Sequence, residues 1–454
     1  MKMDPVIFRE YDIRGVYNSD FNAEFAYVLG RAYITYLSRK SGLKNPRISI
    51  GHDARLSSPE ISKRLAEGVC DGGGHVYTLG LITSPISYFS TFTMDIAGAL
   101  MVTGSHNPPE YNGFKVSVGK ATIFGEQIQE VRRILELKEF VSGKGSIESF
   151  DIFPSYLKRY KEEFGQIRSI PIVLDCGNGA AGCIARQLFE SVGLTPTILF
   201  EQPDGRFPNH HPDPTVEKNL VALKKSVKET SSIVGIGFDG DADRIGIVDE
   251  EGRVIWGDEF ITLVSRFILK EKPGAKIVGD VKCSDRMYAD VAKCGGEPIM
   301  WKTGHSLIKE KIKTEKAPFG GELSGHIFFN DRNYGYDDAI YAGLRLVEIL
   351  AKSGKKLSEL LEGFPSAFNT PEIRIDTTEE KKHAIVERLK TAFSTRTDVN
   401  VNLIDGIRVS FADGWALARA SNTQPVLVLR FESSSQSGLD KIRNEFERIV
   451  NPLL

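Results

Sequence analysis

The chain of 454 residues carries 58 Lys and Arg against 60 Asp and Glu, a net charge of −2, with 41% apolar and 26% charged residues. At about 150 residues per domain the length points to about three domains, and the composition excludes a disordered, fibrous or membrane chain. Balanced charge provides no global attraction to nucleic acid or anionic lipid, so neither is expected as a partner.

In chain order, Phe25, Val28, Leu29, Ala32, Tyr33, Tyr36 and Leu37 recur at three- and four-residue spacing and predict an amphipathic helix. RISIGHDAR (47–55) follows as a β-branched run that ends in a loop. The same unit returns in IPIVLDCGNGAAG (170–182), followed by a helix over ARQLFESVG and a strand over TPTILF, and again in AKIVGDVKCS (275–284) before RMYADVAKCGG. Strands alternating with helices of this length predict βαβ units and mostly parallel sheets. The tail differs: a strand in TPEIRIDT, a helix in EEKKHAIVERLKTAF, three close strands in IRVSF, WALARAS and VLVLRFES, and a helix in LDKIRNEFERIV. That order predicts an α+β domain with an antiparallel sheet. Junctions are expected at GKGSIESF (143–150), DEEG (249–252) and EGFPSAFNTP (362–371).

The five cysteines, Cys70, Cys176, Cys183, Cys283 and Cys294, contain no C-x-x-C pair and read as reduced, buried thiols rather than disulfides or a zinc site. The charged N-terminus and the lack of any spanning apolar run predict a cytoplasmic protein. Glycine, 43 residues or about 9.5%, exceeds the usual roughly 7%.

Four loops carry chemistry-bearing residues. VTGSHNPPEYNGFK (102–115) sets Ser105 and His106 on a Gly- and Pro-containing turn after an apolar run, with Lys115 close behind. Such a loop can expose the hydroxyl and hold phosphate oxygens on backbone N–H groups, and a rigid polar turn fits the residues equally well. His106 reads as a loop-stabilising hydrogen bonder rather than a base. In GIGFDGDADRIGIVD (235–249), Asp239, Asp241 and Asp243 alternate between two apolar runs, and an extended backbone would point all three carboxylates to one side. Their repulsion calls for a cation, and three oxygens on a compact loop suit Mg²⁺; the EF-hand pattern is not met. Arg244 adjoins them. KTGHSLIKEKIK (302–313) and APFGGELSGHIFF (317–329) carry His305, Glu322, Ser324 and His326. Glu and Ser two apart suit vicinal sugar hydroxyls and a histidine suits proton transfer, while a capped turn with a structural histidine also fits. LARASNTQPVLVLRFES (417–433) gathers Arg419, Ser421, Asn422 and Thr423 into a set of donors fit for a phosphate, its arginine setting it apart from an ordinary Ser/Asn turn.

Taken together these loops resemble those of the α-D-phosphohexomutase superfamily, in particular its phosphomannomutase/phosphoglucomutase branch. TGSHNP is similar to the phosphoserine loop, DGDADR to the metal loop, GELSGH to the sugar loop and RASNTQP to the phosphate loop, and the likeness runs from FREYDIRG (8–15) to the last domain. The resemblance implies three similar mixed-sheet α/β domains and a smaller C-terminal α+β domain around a central active-site cleft. The segments expected are 1–148, 149–250, 251–366 and 367–454. It also implies reversible transfer of phosphate between C1 and C6 of a hexose through a phosphoserine enzyme and a hexose 1,6-bisphosphate, in an isomerase requiring Mg²⁺.

Carried over to this chain, Ser105 would bear the phosphoryl group and, with Asp239, Asp241 and Asp243, bind the metal. Arg14, Lys115 and Arg244 would be cations beside the reacting group, with Tyr11 in the same N-terminal motif as Arg14. Glu322 and Ser324 would grip sugar hydroxyls. His305 and His326 match histidines of the cleft, His326 as a proton-transfer group. Arg419, Ser421, Asn422 and Thr423 would hold the phosphate not being transferred. Phosphoglucosamine mutases carry a polar residue at the position of Leu323, and relatives often have Pro and an acidic residue where this chain has Ala420 and Gln424. The same loops would serve a phosphoglucosamine mutase, a Mg²⁺-dependent sugar phosphatase or a non-catalytic sugar-phosphate-binding protein. Mannose and glucose differ at C2, to which no residue is assigned, and the oligomeric state, monomer or homodimer, is not set by the sequence.

Overall fold

The computed structural model describes residues 3–421 and 425–454. Its first sheet contains β1 (Ile13–Val16), β2 (Arg47–His52), β3 (His75–Leu81), β4 (Gly98–Val102), β5 (Tyr111–Val118), β6 (Ala121–Thr122) and β7 (Ser146–Ser149). The order is β1-β5-β4-β2-β3-β7, with β6 beside β5. Strands β4, β2, β3 and β7 run parallel, and β5 is antiparallel to β4 and β1. The helix expected around Phe25 is α1 (Ala23–Ser41); the Asn22 side chain accepts from the Phe25 N–H and a left-handed Gly42 ends it. It packs on α2 (Ser58–Asp71) at glycines: a Cβ on Gly30 would lie 2.3 Å from the Leu65 carbonyl oxygen, and one on Gly68 1.9 Å from that of Tyr27. α3 (Ser84–Thr93) and α4 (Glu126–Leu137) complete this part.

The second sheet, β8 (Ile172–Asp175), β9 (Thr197–Leu199), β10 (Val234–Phe238), β11 (Ile245–Asp249) and β12 (Val254–Ile255), has the order β12-β11-β10-β8-β9. β8 is parallel to β9 and β10, whereas β10 and β11 form an antiparallel pair in which Phe238 faces Ile245. Around it lie α5 (Phe153–Phe164), α6 (Ala185–Ser191) and α7 (Val221–Glu229). After α8 (Gly257–Glu271), strands β13 (Lys276–Asp280), β14 (Glu297–Trp301) and β15 (Phe319–Gly321) alternate with α9 (Asp285–Lys293) and α10 (His305–Glu315); β13 is parallel to both other strands. β16 (Ile327–Phe329), α11 (Ala339–Ser353) and α12 (Leu357–Leu360) follow. The tail holds β17 (Phe368–Asn369), β18 (Ile373–Asp376), α13 (Glu379–Phe393), β19 (Asn400–Asn402), β20 (Ile407–Phe411), β21 (Gly414–Ala420), β22 (Val426–Ser433) and α14 (Gln436–Val450). Its sheet, ordered β17-β22-β21-β20-β19 with β18 also on β22, is antiparallel throughout, as the strand spacing predicts.

Contacts group the chain into two compact units, one running up to Val264 and resuming at Ser324–Leu361, the other comprising Ser265–Leu323 and Glu362–Leu454. The third α/β segment is therefore shared: β13–β15 belong to the second unit, β16 and α11 to the first. The cause is α11, whose residues Ala339–Ala351 are all buried. Gly343 brings it to the side chain of Ile236 on β10, and Tyr341 meets the rings of Tyr160 and Phe164 on α5.

The cysteines form no disulfide, as expected, but only Cys176 and Cys283 are buried; Cys70 and Cys183 are half-buried and Cys294, the C-cap of α9 in an exposed stretch, is exposed. Among the described residues no helix is long and apolar enough to cross a membrane.

Asp338 caps α11, accepting from the Tyr341 N–H at 2.9 Å and from the hydroxyls of Tyr156 at 3.2 Å and Tyr160. Burial pushes its pKa up to about 6 despite these bonds. A raised folded-state value means that stability from this group is complete below about pH 4 and lost as pH rises through 6. Asp338→Asn is expected to flatten that part of the stability profile in denaturant titrations between pH 4 and 7. Gly68→Ala must push backbone from backbone, so chemical denaturation is expected to show a loss of about 1–3 kcal/mol.

Candidate active site

The four loops singled out by sequence all leave the carboxyl ends of strands: β4 runs into 103–110, β10 into 239–244, β14 and β15 into 302–304 and 322–326, and β21 into 421. Crevices at carboxyl ends are where α/β sheets bind ligands.

In the first unit Ser105 is buried, with a left-handed φ of +48°. Its Oγ donates to Asp239 Oδ2 at 2.9 Å and lies 3.1 Å from His106 Nδ1. Burial, then the positive charges of Arg244 and Arg14, hold the His106 imidazole well below its usual pKa, so it is neutral at pH 7. Arg14, on β1, donates to Asn107 Oδ1 at 2.6 Å and pairs with Asp12. Tyr11 is buried in the turn just before β1.

The three aspartates do converge, by another route than the extended backbone expected. Residues 239–244 form a tight turn in which Ala242 takes a left-handed φ of +60° and the N–H groups of Asp243 and Arg244 both donate to Asp239 Oδ1, at 3.0 and 3.1 Å. Lys115 on β5 places its ammonium 2.6 Å from Asp241 Oδ2 and against Asp243 Oδ2, with Ser84 Oγ at 3.0 Å. Burial works against that ammonium, but the two carboxylates outweigh it and hold its pKa well above the ordinary lysine value. Burial also opposes an ionised Asp241, yet Lys115 and Ser84 lower its pKa. Among the described residues Asp239 has no ammonium within bonding distance, and burial and the charges of Asp241 and Asp243 push its pKa well up.

A divalent cation fits this donor set. Ligand oxygens of the three aspartates lie within 4.8 Å of one another, and Oδ1 of Asp241 and Oδ1 of Asp243 are buried without a hydrogen-bond partner among the described residues. Buried acceptors in that condition are costly, and a hard cation with oxygen ligands satisfies them.

Arg244 donates from Nε to His326 Nε2 at 2.9 Å, and its Nη1 lies 3.4 Å from His106 Nε2. His326 Nδ1 is 2.9 Å from Asp337 Oδ2 and 3.6 Å from Asp243 Oδ1, so this histidine touches both the arginine and the acidic cluster. Ser324 is half-buried, on a turn with Glu322 and the left-handed Gly325 rather than on an extended loop.

The second unit assembles another set. Gly304, just before His305 at the start of α10, donates its N–H to Glu322 Oε1 at 2.7 Å. Asp405 joins two of the loops, accepting from the Thr303 N–H and from Arg419 Nε, each at 3.0 Å. Ser421 is buried, and its carbonyl accepts from Lys382 Nζ at 2.6 Å. Asn422 and Thr423 lie outside the described residues.

Sequence reasoning missed Asp337, Ser84 and the contact of His106 with the Ser105 hydroxyl. Asp337 sits in the polar, glycine-led stretch GYDDAI (335–340), the one signal that marked it.

Comparison with known proteins gives the class, that of sugar-phosphate mutases. The four phosphoglucomutase/phosphomannomutase domain models, α/β/α domains I, II and III and the C-terminal domain, match residues 5–142, 154–252, 256–368 and 372–449. The chain belongs to the phosphoglucomutase/phosphomannomutase family and is an isomerase of the phosphohexomutase superfamily. It is 43% identical over 440 residues to a phosphomannomutase/phosphoglucomutase of Pseudomonas aeruginosa, covering 97% of this chain and 94% of that one. To a phosphoglucomutase of Neisseria gonorrhoeae it is 41% identical, covering 99% and 98%. A crystal structure of a phosphoglucomutase/phosphomannomutase family protein from Burkholderia thailandensis superposes with a TM-score of 0.92 at 39% identity, covering 99% and 98%.

Magnesium in hundredfold excess over its dissociation constant is expected to stabilise the protein by about 2.7 kcal/mol. Thermal melts with and without the ion test this, and Asp241→Asn should lose most of the response.

Proposed function

We propose that the chain interconverts hexose 1-phosphate and hexose 6-phosphate, of mannose or glucose, by relaying one phosphoryl group through Ser105. The observation that carries this reading is the buried Ser105 hydroxyl, 2.9 Å from Asp239 within the acidic cluster. A phosphorylated Ser105 would give its phosphoryl group to the free C6 hydroxyl of hexose 1-phosphate: the Oγ–P bond breaks, the O6–P bond forms and the hydroxyl proton passes to His326. The 1,6-bisphosphate, turned end for end, would return its C1 phosphoryl group to Ser105, the O1–P bond breaking as Oγ–P re-forms and O1 taking the proton back, and leave as hexose 6-phosphate. Two in-line steps replace one awkward intramolecular transfer.

Asp239, Asp241 and Asp243, with an oxygen on Ser105, would hold magnesium, which supplies positive charge beside the phosphoryl oxygens when bound. Lys115, Arg14 and Arg244 would add fixed positive charge there, and Tyr11 would bound the substrate. His326, in contact with Arg244 and Asp337, is the proposed proton-transfer group. Glu322, Ser324 and His305 would bind sugar hydroxyls, while Arg419, Ser421, Asn422 and Thr423 would hold the phosphate at rest. The proposed domains are 1–148, 149–250, 251–366 and 367–454, in a cytoplasmic monomer or homodimer with hexose 1,6-bisphosphate as activator.

Glucose 1-phosphate with a trace of glucose 1,6-bisphosphate should yield glucose 6-phosphate without comparable free phosphate; equal release of phosphate would indicate a phosphatase. Ser105→Ala is expected to lower kcat by a factor on the order of 10⁴, and full turnover in that variant would end the relay mechanism. Mannose and glucose 1-phosphates should have kcat/KM values within about tenfold, above that of glucosamine 1-phosphate. Preference for glucosamine 1-phosphate would reassign the substrate.

A further inference from the structure

Ser105 holds a backbone conformation that a non-glycine residue seldom adopts, and its surroundings supply the constraint. Arg55, between β2 and α2, has a fully buried side chain. Its guanidinium Nη2 donates to the carbonyl oxygens of Ser105 and Asn107, at 2.7 and 2.6 Å. Nη1 donates to those of Pro108 and Tyr111, the latter at 3.0 Å, and Nε donates to Asp53 Oδ2 at 3.1 Å. All five N–H donors of the fork are therefore spent, four of them on one loop. Asp53 serves the same loop from the other side, its Oδ2 accepting from Thr103 Oγ1 at 2.8 Å and from the Gly104 N–H at 3.1 Å. Thr103 Oγ1 in turn accepts from the Ser105 N–H at 2.8 Å. Residue 104 is glycine where the fork passes: a Cβ there would lie 2.5 Å from Arg55 Cζ and Nε.

We propose that Arg55 is a positioning residue for phosphoryl transfer, clamping the carbonyls of residues 105, 107, 108 and 111 so that the Ser105 backbone stays left-handed and its hydroxyl stays directed at Asp239. It touches no reacting atom; its planar fork, rather than its charge, does the holding. Lysine, a point charge with three donors on a flexible stem, does not reproduce that geometry. Without the clamp, the loop is free to relax toward ordinary backbone conformations that carry the hydroxyl away from the acidic cluster.

The inference rests on the relay through Ser105, so the wild-type protein is assayed beside each variant. In Arg55→Lys, kcat per folded molecule should fall about 10- to 100-fold, the scale of the strain released at a left-handed non-glycine residue, with KM within threefold of wild type. A merely structural arginine would lower the melting temperature and the folded fraction and leave kcat per folded molecule alone. Gly104→Ala drives a methyl group into the same fork and should show the same split, which decides the matter if Arg55→Lys does not fold. Retention of kcat within twofold by a folded variant, or a loss expressed in KM alone, overturns the positioning role while the relay stands. Absence of mutase turnover in the wild type overturns the relay itself.

Discussion

Three carboxylates buried within five residues of one another repel, and the first unit is organised around limiting that repulsion. Lys115 neutralises part of the charge from a strand of a different sheet, and its contacts with Asp241 and Asp243 bridge more than 120 residues of sequence. The start of α3 adds to this: Ser84 gives its N–H to the Asp241 carbonyl and its hydroxyl to the Asp241 carboxylate. The remaining imbalance falls on Asp239, which receives two backbone N–H groups and the Ser105 hydroxyl but no close ammonium. Ionised groups removed from water need such partners or a counter-ion. The Ser105 hydroxyl thus bonds the least compensated member of the cluster, where a cation has the most to stabilise.

Both chemical loops of this unit use left-handed residues that are not glycine, Ser105 and Ala242. At 105 the side chain bonds Asp239, a contact glycine has no atom to make, and neighbours such as Arg55 hold the surrounding carbonyls. At 242 the turn is closed by backbone bonds, the Ala242 N–H to the Asp239 carbonyl at 3.1 Å and the Ala339 N–H to the Ala242 carbonyl at 3.2 Å. The second of these ties the acidic turn to the first residue of α11.

Local pattern made much of this legible. Alternation of short apolar runs with helices marked β2, β8 and β13, and the close strands of the tail marked an antiparallel sheet, because period and spacing are properties of neighbouring residues. The acidic triplet was legible as a cluster although its geometry was not: the turn depends on N–H groups reaching back to Asp239, which side-chain alternation does not express. Partners distant in sequence were not legible at all. Ser84 meets Asp241 across 157 residues, and Arg55 meets the serine loop across 50 or more, with nothing local to mark either. Likewise the sharing of the third α/β segment between two units follows from Gly343 and the tyrosines around α11, whose partners lie far back on β10 and α5.

That sharing has a consequence for the growing chain. During synthesis, the first unit cannot close when Val264 emerges, since α11 still has to arrive and its buried residues end at Ala351. Meanwhile β13, β14 and β15 are already outside the ribosome, and their unit is completed only by the last strands and helix of the chain. Two incomplete bodies therefore coexist over a long stretch of translation, each with apolar surface awaiting its final element, and such surface is what aggregates or recruits chaperones. The order in which the units finish is written in the interleaving of their segments rather than in the order of the four domains.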